Sequence, residues 1–270
     1  MSSPLAQVTV PIVTVDDEGE IRPNTIFHRP LDNLHSRCIE YPYCASRIRP
    51  TVRTLLDVGS AKADSTWISW LSRLPFAVYA LDYDVPPQGI ARVVRYVRAD
   101  IRATPYPDRF FDAVVAVSSI EHIGLSEPQV AHVSKPKVEP DGDLRAVQEI
   151  ARILKPGGQL VMTVPFGRRS GLILGDQART YDIRSIRKFE AVMQLSELVV
   201  YEYASLSPAR SWAVRPRRAI GRFLEVFLKM RFHEAGLVTW KRVDPLVCAA
   251  THRWHVEAVA CCVWEKRAGN

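Results

Sequence analysis

Three aspartates follow short apolar runs at a spacing that suits a nucleoside ligand. Asp57 lies at the end of the run 54–58, Asp82 follows the next run 25 residues later, and Asp100 follows a third. Small residues from Gly59 onward let a ligand approach the backbone, and a carboxylate about 20 residues beyond such a turn can bind ribose hydroxyls. Asp57 could instead cap the turn, but three acids after three successive runs favour a cofactor site.

The turn after the first run lacks the pattern of a phosphate-binding loop. Gly59 is the only glycine between residues 57 and 65, and neither G-x-G-x-x-G nor G-x-x-x-x-G-K-S/T is present. The helix predicted after the turn still offers free N–H groups. A cofactor with a ribose and an adenine but without a phosphate therefore fits the sequence better than a nucleotide.

Residues that can move a proton follow a fourth apolar run. Ser118 ends this run, and Glu121 and His122 come shortly after it. Imidazole and carboxylate groups both act as general bases, and we favour His122 because imidazole titrates near neutrality. Glu121 and His122 could equally well position a cofactor, and the sequence leaves both roles open.

A parallel sheet is needed to bring these residues together. The runs 54–58, 77–81, 96–99, 113–117 and 160–164 are short, valine-rich and unalternated, as expected of strands buried on both faces. Helices are predicted over 65–73 and 143–154, the second closed by the sequence KPGG. Strands that alternate with helices form right-handed crossovers. Ligands of such sheets bind at the carboxyl ends of the strands, where the candidate residues lie.

Further elements are predicted beside this core, with a helix over 37–48 and strands over 198–203 and 256–264. Asp182 is a suitable N-cap for a helix over 184–193. Tyr181 and Asp182 also follow the fifth strand, where substrate loops are common. Both interpretations of this pair stay open.

The ordered motifs resemble those of class I S-adenosylmethionine-dependent methyltransferases. They are DVG at 57–59, LD at 81–82, ADI at 99–101, PYPD at 105–108, FDAV at 111–114, EH at 121–122 and LKPGG at 154–158. Each motif is weak alone, but the ordered set over about residues 51–205 is specific. The resemblance implies a Rossmann-like α/β fold, with a seven-stranded mostly parallel sheet, helices on both faces and an antiparallel last strand. The stretches at 120–124 and 141–144 further resemble bacterial methyltransferases of sugar, glycan and antibiotic pathways, including aminoglycoside N-methyltransferases.

The resemblance implies S-adenosylmethionine as cofactor, S-adenosylhomocysteine as product, and a set of residues around the methionine part. Gly59 and Ser60 would pass beneath it. Asp57 would hold its amino group, directly or through water. Ser118 would line the same end of the site.

The resemblance also assigns residues to the adenosine part. Asp82 would bind the ribose hydroxyls, and Asp100 with the Ile101 N–H would recognise the adenine edge. The family's second and third glycines are replaced here by Ala61 and Ala63. Alanine can follow such a turn if φ stays negative, so we expect a slightly wider loop that still binds the cofactor.

The positive charge of the chain is local. The formal net charge is +7, and the segment 205–242, with nine basic and two acidic residues, accounts for all of it. Apolar residues at helical spacing predict an amphipathic helix over 219–232 with a basic outer face. This helix is either a nucleic-acid footprint or an insertion that covers the substrate or packs against a second subunit. We prefer the insertion, because its aromatic residues lie on the buried stripe and do not alternate with arginine.

The chain is predicted to comprise an N-terminal cap (1–50), a cofactor-binding core (51–204), the basic helical insertion (205–242) and the final strands of the sheet (243–270). No apolar run reaches the ~18 residues that span a bilayer, and the N-terminus lacks a signal-peptide pattern, so we expect a cytoplasmic protein without membrane contact. The five cysteines form no CxxC pair, and no metal site is predicted. A homodimer is possible.

These observations predict an S-adenosylmethionine-dependent methyltransferase that acts on a small polar metabolite. The favoured substrate is an amino sugar or sugar of antibiotic or glycan biosynthesis, methylated on nitrogen or oxygen. One alternative is an RNA methyltransferase that uses the segment 205–242, although a nucleic-acid partner is not preferred. Another is a non-catalytic protein that binds the cofactor or a partner, a hypothesis motivated by Ala61 and Ala63.

Overall fold

A computed structural model describes residues 13–15, 20–23, 36–86, 94–125, 139–205, 238–252 and 256–267. Its strands are β1 (Val13–Val15), β2 (Glu20–Pro23), β3 (Thr54–Val58), β4 (Ala77–Asp82), β5 (Arg95–Arg98), β6 (Phe111–Val117), β7 (Leu154–Pro165), β8 (Gly171–Ile173), β9 (Ala178–Thr180), β10 (Gln194–Ser205), β11 (Val238–Val243) and β12 (Ala258–Glu265). Ten of them form one sheet in the order β1-β2-β11-β10-β12-β7-β6-β3-β4-β5, and β8 pairs with β9 in a separate hairpin.

The direction of the strands confirms the predicted fold class. Strands β3 to β7 pair in parallel, whereas β12 runs antiparallel to both β7 and β10. Among the described strands, the predicted seven are extended at one edge by β11, β2 and β1. These three were not predicted because β1 and β2 are short and lack an apolar period, and β11 lies at the end of the segment assigned to the basic insertion.

The helices are α1 (Arg37–Arg47), α2 (Ser65–Leu71), α3 (Gly142–Ile153) and α4 (Ile183–Ile186), with 3₁₀ turns at Ser60–Lys62, Ile120–His122 and Arg187–Ala191. The helix predicted over 184–193 is thus one short α-helix continued by a 3₁₀ turn. Asp182 caps it, because its carboxylate accepts a hydrogen bond from the Ser185 N–H at 2.7 Å. Tyr181 is buried and donates to Asp143 at 2.6 Å.

Apolar side chains cover both faces of the sheet, which explains why the strand sequences are continuous apolar runs and do not alternate with polar residues. On one face, Leu56 and Val114 belong to a cluster that includes Ile150 of α3. On the other face, Leu55 and its neighbours pack in a second cluster with side chains of α1 and α2, such as Trp67. The helices therefore fix the sheet from both sides and leave the carboxyl ends of the parallel strands for a site.

Two predicted segments lie largely outside the described residues. These are most of the cap over 1–50 and most of the basic segment, including the helix predicted over 219–232. Lys241 and Arg242, which were counted in the basic segment, lie on strand β11. The longest helix in the described ranges has 12 residues, and none of the helices there has the length and apolar character needed to cross a membrane.

Candidate active site

A cavity of about 360 Å³ opens at the carboxyl ends of the parallel strands, where open α/β sheets bind their ligands. Seven of the nine predicted site residues line it, namely Asp57, Gly59, Asp82, Asp100, Ile101, Ser118 and His122. The other two, Ser60 and Glu121, are buried directly behind the wall. The topology therefore gathers residues that are separated by up to 65 positions in the chain.

The turn after β3 depends on a glycine at its first position. Gly59 has φ +87°, and its N–H donates to the Leu81 carbonyl at 2.9 Å. A Cβ at this position would lie 2.6 Å from the Cβ of Ser119. Ala61 and Ala63 are not among the residues with positive φ, and Ala63 has φ −69°. The two alanines are thus compatible with the turn.

Gly59→Ala is expected to lower the free energy of unfolding by about 2 to 4 kcal/mol, the sum of left-handed backbone strain and a steric clash. Gly157→Ala is a matched control, because Gly157 has φ +71° but a Cβ there meets no atom within 4 Å. Urea unfolding of both variants measures the two effects separately: Gly157→Ala reports the backbone strain alone, and the additional loss in Gly59→Ala reports the clash with Ser119. Equal losses in the two variants would contradict the role of the Ser119 contact.

Asp57 is held in the wall by two side-chain donors. Its carboxylate accepts hydrogen bonds from the Ser60 hydroxyl at 2.6 Å and from the Trp67 indole N–H at 3.0 Å. Burial raises the pKa of Asp57 to about 6, although these hydrogen bonds act in the opposite direction. Ser60 therefore lies against Asp57, and its hydroxyl is directed to that carboxylate.

Asp82 ends β4 and faces the same turn. One carboxylate oxygen accepts the Ala61 N–H at 2.8 Å, and the other accepts the Asp84 N–H at 3.0 Å. Burial raises the pKa of Asp82 above its ordinary value. Each carboxylate oxygen has two acceptor sites, so these backbone bonds fix the group and leave capacity for a ligand.

Asp100 lies beyond β5 beside the buried Ile101. Its carboxylate accepts hydrogen bonds from the Arg102 guanidinium, the shortest at 2.6 Å. Burial raises the pKa of Asp100, but the hydrogen bonds and charge of Arg102 outweigh this effect, so the net pKa lies below the ordinary value. Asp100 is thus a carboxylate fixed by an arginine.

Ser118 has φ +41°, and its hydroxyl donates to the Glu40 carboxylate on α1. Glu40 is fully buried and also accepts from Ser36 at 2.9 Å, from Arg37 at 2.5 Å and from Thr163 at 2.9 Å. One carboxylate therefore fastens α1 to the ends of β6 and β7. The Ser118 hydroxyl is engaged in this contact.

The geometry of His122 defines its neutral tautomer. Its Nδ1 lies 2.6 Å from the backbone carbonyl oxygen of Gln177, which can only accept, so Nδ1 carries the proton. Nε2 is then the basic nitrogen, and it lies 3.9 Å from Glu121 Oε1. Burial raises the pKa of Glu121 to about 7, an effect that the nearby His122 partly offsets. The other oxygen of Glu121 has no hydrogen-bond partner among the described residues.

Glu121→Gln is expected to increase stability at alkaline pH. Because the pKa of Glu121 is raised in the folded protein, its stabilising contribution is complete below the ordinary glutamate pKa and is lost as pH rises through about 7. Glutamine cannot ionise, so the stability of the variant does not fall with pH for this reason. Its free energy of unfolding should gain roughly 3 kcal/mol relative to wild type between pH 4.5 and pH 8, measured by urea unfolding without cofactor. A difference that is constant with pH would contradict the assignment.

Several cavity residues have no counterpart in the sequence prediction. They are Arg37 and Tyr41 on α1, Trp67 on α2, Ser119 after β6 and Gln177 in the turn between β8 and β9. Helix α1 was predicted within the N-terminal cap, but no pattern indicated which of its side chains would line the site. Gln177 contacts His122 through its main chain, which no side-chain motif can reveal.

Residues 29–241 match the family described as a methyltransferase domain, which is about four fifths of the chain. The chain belongs to the methyltransferase domain family. This match confirms the resemblance to S-adenosylmethionine-dependent methyltransferases that the motifs indicated, and with it the cofactor expected for the domain.

Curated relatives match parts of this chain. The ubiquinone/menaquinone biosynthesis C-methyltransferase of Azotobacter vinelandii is 29% identical over 98 residues, 36% of this chain and 30% of that protein. Its Yersinia pestis counterpart is 27% identical over 118 residues, 44% of this chain and 38% of that protein. The chain thus spans about a third of the length of these curated relatives.

Solved structures are similar at lower identity. A putative methyltransferase from Bacillus halodurans is 18% identical, with a TM-score of 0.44 over 79% of this chain and 92% of that chain. The MccD protein is 16% identical, with a TM-score of 0.48 over 80% and 90% of the two chains. Identities at this level leave the substrate of the methyltransferase domain to be inferred from its own cavity.

Proposed function

We propose that this protein transfers the methyl group of S-adenosylmethionine to a small polar metabolite. The favoured acceptor is an amino sugar or sugar of antibiotic or glycan biosynthesis, methylated on nitrogen or oxygen. The observation that carries the proposal is one cavity wall that joins the Gly59 turn, Asp82 and Asp100 to His122. This wall offers ligands for an adenosine at one end and a proton acceptor at the other.

The residues fit the cofactor without rearrangement of the turn. Asp82, fixed by two backbone N–H groups, would bind the ribose hydroxyls, and Asp100 with Ile101 would bind the adenine. Gly59 brings backbone without a side chain to the cavity lining, and Asp57 offers a carboxylate to the methionine ammonium. When bound, the sulfonium supplies the methyl group.

His122 is proposed as the general base. Its Nδ1–H donates to the Gln177 carbonyl, so the lone pair of Nε2 is free to take the acceptor's proton. The Glu121 carboxyl group 3.9 Å away would stabilise the imidazolium that results. Methyl transfer itself needs an aligned acceptor in a partly dry cavity, which the walls supply.

The proposed acceptor follows from the distribution of polar groups in the cavity. The carboxylates of Asp82, Asp84 and Asp100 lie on the side assigned to adenosine. Near His122 the lining includes Gln177, whose carbonyl accepts the imidazole N–H, and the Arg37 guanidinium, which interacts with Glu121. An amide and a guanidinium suit a small acceptor that offers a hydroxyl or an unprotonated amine better than one that carries an ammonium group.

Methyl transfer from radiolabelled S-adenosylmethionine to a panel of acceptors tests the proposal. The panel comprises aminoglycosides, neutral sugars, a quinol and duplex RNA. We expect transfer to an amino sugar or sugar. Transfer to RNA with a steep salt dependence would replace the proposal with the RNA alternative, and transfer to the quinol alone would also overturn it. A wild-type protein that binds no cofactor would refute the enzyme.

A further inference from the structure

A buried arginine on β9 contacts the backbone on both sides of His122. Arg179 is 8% exposed, and its guanidinium is surrounded by main-chain oxygens. It donates to the carbonyls of Ile123 at 2.6 Å, Pro140 at 2.8 Å, Glu121 at 3.2 Å and Glu139 at 3.3 Å. Two of these carbonyls belong to the residues directly before and after His122. The planar guanidinium therefore joins the turn that carries His122 to the segment before α3.

The carboxylate beside Arg179 serves mainly other groups. Asp143 Oδ2 lies 3.8 Å from the Arg179 Nε, which is longer than a hydrogen bond. The same oxygen accepts hydrogen bonds from Lys188 at 2.5 Å and from Tyr181 at 2.6 Å. Asp143 thus offsets the buried charge, while the terminal N–H groups of Arg179 are used on backbone carbonyls. A buried guanidinium that is bonded in this way fixes the chain segments around it.

The hairpin that carries Arg179 is itself fixed to the end of β7, because the Tyr181 N–H donates to the Pro165 carbonyl at 2.9 Å. Two residues before Arg179, the Gln177 carbonyl accepts the Nδ1–H of His122. One short strand and its turn therefore hold His122 in two ways. Gln177 contacts the imidazole ring, and Arg179 contacts the backbone on either side of it.

We propose that Arg179 is a positioning residue for methyl transfer, which acts by holding the backbone of His122 so that the ring stays on the Gln177 carbonyl. A displacement of about 1 Å in a reacting group can lower a rate about 100-fold, so a proton acceptor needs such support. This inference rests on the proposed function and adds a residue that the sequence motifs did not indicate.

The tautomer of His122 in the unliganded protein tests the inference directly. In protein labelled with ¹⁵N-histidine and kept in alkaline buffer, long-range ¹H–¹⁵N spectra distinguish a ring protonated on Nδ1 from one protonated on Nε2. The spectrum of His122→Ala identifies the signal. We expect the Nδ1–H form in wild type and a mixture of both forms in Arg179→Lys. Lysine keeps the charge beside Asp143 but cannot reproduce the planar set of donors.

Lys188→Met is the control for the loss of a cation from the same buried carboxylate. Lys188 donates to Asp143 at 2.5 Å, and among the described contacts it has none with the turn that carries His122. We expect lower thermal stability and an unchanged His122 tautomer. Arg179→Gln replaces Arg179→Lys where that variant does not fold. The same mixture of tautomers is expected, because the single side-chain nitrogen of glutamine cannot join both pairs of carbonyls.

Single-turnover rates extend the test to catalysis. With saturating S-adenosylmethionine and the acceptor that the panel identifies, Arg179→Lys should react about tenfold more slowly than wild type, with its affinity for S-adenosylhomocysteine within about threefold. In a His122→Ala background, the same substitution should change the rate less than about twofold, because the group that it positions is absent.

Equal slowing in both backgrounds, or the wild-type tautomer in Arg179→Lys, would overturn the inference. The same holds if Lys188→Met changes the tautomer as much as Arg179→Lys does. If His122→Ala reacts at the wild-type rate, it is the proposed role of His122 that fails. The histidine spectra then still decide whether Arg179 fixes the ring.

Discussion

Asp82→Ala is expected to weaken the binding of S-adenosylhomocysteine at least about 100-fold. Two charge-assisted hydrogen bonds to ribose hydroxyls contribute roughly 3 kcal/mol together, which corresponds to this factor. The substitution also removes the acceptor of the Ala61 and Asp84 N–H groups, which hold the turn in place. Calorimetric titration of the purified variant measures the loss directly.

Two further variants sharpen this test. Asp82→Asn keeps the shape and one acceptor oxygen, so its affinity should lie between those of wild type and Asp82→Ala. Asp108 forms an ion pair with Arg152 at 2.5 Å, its side chain is 72% exposed, and it is not among the residues that line the cavity. Asp108→Asn should therefore change the dissociation constant less than about threefold. If Asp82→Ala binds within fivefold of wild type, Asp82 does not hold the ribose.

His122→Ala is expected to reduce turnover about 10² to 10³-fold, the range for loss of a positioned general base. Its affinity for S-adenosylhomocysteine should stay within threefold of wild type, because the proposed cofactor contacts lie on other residues. Single-turnover methyl transfer with saturating cofactor separates these two quantities.

Chemical rescue distinguishes a base from a positioning residue. In His122→Ala, added imidazole should restore part of the rate. If His122 only positions the cofactor, the variant would lose cofactor affinity and imidazole would not restore the rate. Unchanged turnover would exclude both roles.

The core of the fold was predictable because parallel strands buried on both faces have a distinctive sequence. The run 54–58 coincides with β3, and the run 113–117 lies within β6. β8 and β9 have only three residues each and lacked such a pattern. The turn between these two strands nevertheless positions the Gln177 carbonyl, which accepts a hydrogen bond from Nδ1 of His122 and so fixes its tautomer.

The site was predictable where a residue directly follows a strand, and not where its orientation depends on tertiary packing. Asp82 and Asp100 line the cavity as expected from their positions. Ser118 lines the cavity as predicted, but its φ is positive and its hydroxyl donates to Glu40 on α1. Glu40 lies 78 residues before Ser118, and no local pattern could pair them.

The buried contact of Glu40 with Ser118 and Thr163 couples the docking of α1 to occupancy of the cavity. Arg37 and Tyr41 of this helix line the cavity together with Gly59 of the turn after β3. A ligand that touches both the helix and the turn binds the protein with the helix docked more tightly than the protein with the helix undocked. Linkage requires that the ligand favours the docked helix by the same factor by which docking of the helix increases the affinity for the ligand. Bound ligand should therefore slow the exchange of the amide hydrogens of α1 with solvent by that factor.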